Sequence, residues 1–131
     1  RVLGGKTHVR RAAEPELGWG KVEFIADSEF TRGVPREFHS YQSHFDEVCE
    51  LPPGMIHLAR SERCEIQAMR LEGKPVFGIQ FHPEKLLEEG EASLAIKKKQ
   101  KIKHDLLNAG RGKSLYDSLI GETLFKNFLH L

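Results

Sequence analysis

The sequence predicts an α/β fold, a sheet with flanking helices. Three observations point there. Residues 6–81 hold short runs in which apolar and polar residues alternate, the period of a half-buried strand. Glycine and proline break these runs at short intervals, as in "LPPGM" and "EGKP". After Glu84 the apolar period lengthens to that of an amphipathic helix.

Each element has its own reason. "RVLGG" reads as the tail of a helix closed by glycine, because glycine takes the left-handed conformation past a helix end. The chain then begins inside a structural element, and it carries no initiator methionine. "KTHVRRA" reads as a strand and "EPELGW" as a loop broken by Pro15 and Gly18. "GKVEFIA" alternates, with Val22, Phe24 and Ala26 on one face. "RGVP" turns the chain, and "REFHSYQSH" is a third extended run. "IHLARSE" and "CEIQAMRLEG" are two more strands, the second folding into "VFGIQF" as a hairpin. Residues 91–110 read as a helix ending at Gly110. Residues 113–131 read as a second helix, with Leu115, Leu119, Leu124, Phe125, Phe128 and Leu129 on its apolar face.

Composition bounds the function. At 131 residues the chain is one domain or part of one. Its net charge of +1 gives no global field for nucleic acid or membrane. No apolar run approaches the ~20 residues of a membrane span. Cys49 and Cys64 sit in no metal-type pair and no disulfide-rich pattern, so a reducing cytoplasm is the default compartment. His39, His44 and His57 lack the tight spacing of metal ligands, and neither metal nor cofactor is expected.

The most informative stretch is "GIQFHPEK", residues 78–85. Pro83 ends a strand there, since it has no N–H for the ladder. It also holds His82 extended, so that His82 and Glu84 leave on the same side. A histidine base held by a carboxylate suits that geometry, and it wants a nucleophile.

"GIQFHPE" resembles the C-terminal catalytic motif of class I glutamine amidotransferases. Further blocks resemble the same family in order: "LGGK", "LGWGKVEF", "SYQSHFDEVCELPPGMIHLARSE" and "ETLFKNFL". Ser43, His44, Asp46 and Val48 match its Ser-His-x-Asp-x-Val pattern. The resemblance implies a partial amidotransferase-like mixed sheet with its N-terminal strands missing, in one truncated domain over residues 1–131. It implies that His82 is the base and Glu84 its orienting carboxylate. Ser43 and His44 would contact the glutamine substrate. A cysteine on a Gly-x-Cys-x-Gly elbow would attack the glutamine amide, and ammonia would pass to an acceptor. No such elbow is present, and glutamates adjoin both Cys49 and Cys64, which disfavours a thiolate. The expectation is therefore no hydrolysis by this chain alone. Residues 91–120 match nothing in the family and read as a helical insertion.

Other readings stay open. The fold could serve as a non-catalytic, oligomeric interaction module, or as part of a γ-glutamyl peptidase of the same superfamily. An open sheet edge would favour a homo-oligomer. The run "KKKQKIK" has no interleaved aromatics for stacking on bases, which argues against nucleic acid. It reads as the solvated side of a protruding or edge-lying helix.

Overall fold

The computed structural model describes residues 5–131. The helix tail expected at "RVLGG" falls mostly on residues 1–4, outside the described residues. A 3-10 turn, Lys6–His8, leads into β1, Val9–Phe24. The strands β2 (Glu37–Val48), β3 (Met55–Arg60), β4 (Ala68–Leu71) and β5 (Phe77–Ile79) follow. Three helices close the chain: α1 (Leu87–Lys99), α2 (Gly112–Leu115) and α3 (Ser118–Leu129).

The loop expected at "EPELGW" is instead the middle of β1. Its pairing with β2 slips between Arg11 and Glu16, and Pro15 sits in that irregularity. A bulge needs no regular ladder bond, so the missing proline N–H costs nothing there. Gly18 adopts φ +117°. A Cβ at that position would collide with the Leu107 backbone, so the glycine serves a close approach and not a turn.

The sheet order is β2-β1-β3-β4-β5, with each neighbouring pair antiparallel. Of the expected mixed sheet, the described residues supply antiparallel ladders; the one parallel bridge among them joins Gly18 to Leu107. The sheet curls until its ends meet. Bridges Val48–Ile66 and Tyr41–His82 bring β2 round to the segments flanking β4 and β5.

Two apolar clusters hold the layers. In one, α3 sets Ile120 and Leu124 against Val22, Phe24, Phe38, Leu58 and Phe81. In the other, Leu94 of α1 packs on Trp19 and Tyr41, with Leu106, Leu115 and Tyr116 around them. Trp19 Nε1 donates to Glu91 Oε1 at 2.8 Å, and Tyr41 Oη donates to Ser93 Oγ at 2.7 Å.

The helices depart from expectation in three ways. First, α1 starts earlier, at Leu87, where the Glu89 carboxylate accepts the Leu86 N–H. It also stops at Lys99, well short of Gly110. Beyond it, Leu107 donates to the Leu17 carbonyl at 2.7 Å and accepts from the Trp19 N–H at 3.0 Å. Satisfying the free edge of β1 outweighs continuing the helix. Second, α1 lies on the sheet and does not protrude. Lys98 and Lys99 are exposed as expected, but Lys97 is half-buried and donates to Ser93 Oγ at 2.8 Å. Third, α3 turns Ile120, Gly121 and Leu124 inward, while Leu119, Phe125, Phe128 and Leu129 stay exposed.

Candidate active site

Phe81 is buried in the core and anchors the end of the β5 extension. The next residue, His82, donates its N–H to the Tyr41 carbonyl at 2.8 Å. Lys85 N–H then reaches back to the His82 carbonyl at 3.2 Å. Residues 82–85 are thus a turn, with Pro83 at its second position, which its fixed φ favours. The sequence pattern predicts His82 and Glu84 side by side through an extended segment. They do come together, but through this turn.

His82 Nδ1 lies 2.7 Å from Glu84 Oε1. An ionised carboxylate only accepts, so Nδ1 donates, and in the neutral ring Nε2 keeps its lone pair. Both side chains are about half exposed. A pair so held can take a proton from an acidic group placed against Nε2. On its far side the turn rests on α3: a Cβ at Gly121 would overlap the Pro83 carbonyl oxygen. That contact fixes where the turn sits.

Ser43 and His44 part company. Residues opposite each other in a ladder share a face, and residues along a strand alternate. Tyr41 is bridged to His82, so Ser43, two residues along, is on the His82 face and exposed. His44 points the other way. Its side chain is 9% exposed, with Nδ1 3.0 Å from the Asp46 carbonyl and Nε2 3.5 Å from Glu16 Oε1.

Glu16 was not singled out from the sequence, yet it is 3% exposed and accepts from Ser61 Oγ and Gln67 Nε2, both at 2.7 Å. A signal existed: Glu16 stands at even spacing from Val22 and Phe24, on the inward face. Among the described residues neither thiol is hydrogen-bonded to His82. Cys49 Sγ is directed at the Thr7 carbonyl, 3.6 Å away. Cys64 is buried, and burial first, then Glu16, pushes its thiol up to about 12. It is a poor nucleophile for that reason.

The family model for class I glutamine amidotransferases matches residues 1–101. The chain belongs to that family. Among relatives of this amidotransferase chain is a subunit of the glutamine-hydrolysing GMP synthase of Thermococcus kodakarensis. It is 46% identical over 82 residues, which are 63% of this chain and 43% of the relative. The corresponding GMP synthase subunit from Archaeoglobus fulgidus is 50% identical over 84 residues, 64% of this chain and 45% of the relative. The chain spans less than half the length of these relatives. Among solved structures, a glutamine amidotransferase from Thermotoga maritima superposes with a TM-score of 0.70 at 25% identity, over 93% of this chain and 53% of its own. One from Methylobacillus flagellatus gives 0.71 at 18% identity, over 93% and 55%, and speaks for the fold alone.

Proposed function

We propose that this chain carries the histidine–glutamate side of a cysteine-dependent glutamine amidotransferase site. The observation that supports it most is the 2.7 Å contact between His82 Nδ1 and Glu84 Oε1, which leaves Nε2 for a thiol. In this reading His82 takes the thiol proton and the thiolate attacks the side-chain amide carbon of glutamine. The C–N bond breaks, and His82 returns the proton to the departing ammonia. Water then cleaves the thioester to glutamate. Glu84 orients the imidazole, while Ser43 and the backbone of residues 43–44 seat the substrate. The reading requires a nucleophile from outside the described residues, so the chain alone is inactive. The relatives are named as subunits of glutamine-hydrolysing GMP synthases. On that likeness the ammonia serves a separate GMP-forming synthetase subunit.

A chimera tests this. The N-terminal half of the Thermococcus kodakarensis relative is joined to this chain, and ammonia release from glutamine is measured. The chimera should be active, and His82→Ala should lower its kcat by ~10²–10⁴-fold, the usual loss of a general base. This chain alone should release no more ammonia than its own His82→Ala variant. A chimera unaffected by His82→Ala would overturn the assignment.

A further inference from the structure

On the face of β1–β2 turned away from His82, a carboxylate, an imidazole and a thiol converge. Ligand atoms of Glu16, His44 and Cys64 all lie within 4.8 Å of one another. All three side chains are buried: Glu16 is 3% and Cys64 1% exposed, and the His44 side chain 9%. The residues are far apart in sequence, which is why no ligand spacing revealed them.

The His44 ring decides what the space wants. Its Nδ1 lies 3.0 Å from the Asp46 carbonyl, which can only accept, so Nδ1 carries a proton. In the neutral ring Nε2 then aims a lone pair inward. That atom is buried with no hydrogen-bond partner, 3.5 Å from a Glu16 oxygen. A buried lone pair against a carboxylate is unsatisfied and repelled. A cation between the two removes both penalties. A proton on Nε2 is the competing occupant.

We propose that Glu16, His44 and Cys64 form a three-donor site for a zinc-class divalent cation. One oxygen, one nitrogen and one sulfur suit zinc, where calcium or magnesium would want oxygens alone. The surroundings are those of a ligand shell. Ser61 Oγ and Gln67 Nε2 hold the Glu16 carboxylate, and the Asp46 carbonyl holds the His44 ring. Binding forms a metal–sulfur bond as the Cys64 proton leaves for solvent; nothing is oxidised or reduced. A fourth position remains for water. The cation would tie β1, β2 and the β3–β4 connection together directly behind Ser43.

The test is a cobalt(II) titration of the chelator-stripped chain. It should bind one Co²⁺ with a thiolate-to-metal charge-transfer band. The band should vanish in Cys64→Ser and persist in Cys49→Ser, and His44→Gln should weaken binding at least tenfold. The chain has only these two cysteines, so a band in Cys49→Ser must come from Cys64 even if Cys64→Ser fails to fold. No band in the unaltered chain would give the space to a proton and overturn the site. A band lost in Cys49→Ser would overturn it too.

Discussion

In the proposed site Glu84 serves His82 with charge as well as position, through the 2.7 Å contact of its carboxylate with Nδ1. Glu84→Gln keeps the size and loses the charge, and the amide can offer its NH₂ to Nδ1 and so select the wrong tautomer. In the chimera this substitution should lower kcat by roughly 10²-fold or more with little change in KM, since a misoriented base costs that much. Steady-state kinetics decide it, and an unchanged kcat would remove Glu84 from the reaction. His39 sets a separate residue-scale effect. Burial first, then the charges of Lys21 and Arg111, hold its imidazole below the ordinary 6.5. The unfolded chain therefore takes up this proton before the folded one. The stability His39 contributes is present above about pH 6.5 and is lost as pH falls below it. Melting curves between about pH 5 and 8 should show Tm falling on the acid side, and His39→Asn should flatten that fall. A Tm profile identical in the variant would show that His39 titrates alike in both states.

At the scale of elements, the docking of α3 on the turn rests on one glycine. Gly121→Ala would gain ~1 kcal/mol of helix propensity. It would also press a methyl onto the Pro83 carbonyl, a backbone group that cannot swing aside. Overpacking of this kind costs ~1–3 kcal/mol, so the net change should be destabilising. Urea unfolding should show a lower midpoint, and an unchanged or raised one would mean the turn shifts freely. In α1 the three lysines should separate. Lys97 donates to Ser93 and lies over the Tyr41 ring, 5.8 Å from its centre. Lys97→Met should cost ~0.5–1 kcal/mol. Lys98→Gln and Lys99→Gln should stay within ~0.5 kcal/mol, as exposed substitutions do. Elements were legible in the sequence where their signal was local. Alternation marked the strands, and "FHPE" marked His82 and Glu84 as neighbours, although a turn and not an extended segment joins them. The continuity of β1 was hidden because Pro15 and Gly18 carry loop signals, and a bulge and the approach of Leu107 absorb them. The end of α1 was hidden for the same reason: the partner that stops it, the free edge beside Leu17 and Trp19, is remote in sequence.

Across the whole molecule, the decisive contacts are the ones that close the curl. Tyr41 meets His82 and Val48 meets Ile66, and no local pattern announces either pairing. The split of Ser43 from His44 follows from that closure together with strand alternation. The sheet presents the Ser43 side chain on the His82 face and turns the His44 side chain to the other. The same architecture leaves an apolar strip beside the turn. Phe30, Phe77, Ile79, Pro83, Leu124, Phe125 and Phe128 line a groove of about 170 Å³. Phe125 and Phe128 are each 47% exposed, and Leu129 is 78% exposed. The closing bridges lie beyond β5, at His82, so among the described residues no strand pairs with the outer edge of β5 itself, which adjoins the strip. Contiguous apolar surface next to an open edge favours association. The isolated chain should therefore self-associate as its concentration rises. Replacing Phe125 and Phe128 together with glutamate should suppress this, because two charges would then enter the contact without partners. Light scattering over a hundredfold concentration range would decide the matter. A monomer throughout, with cooperative melting, would show that the strip is too small to hold a second copy.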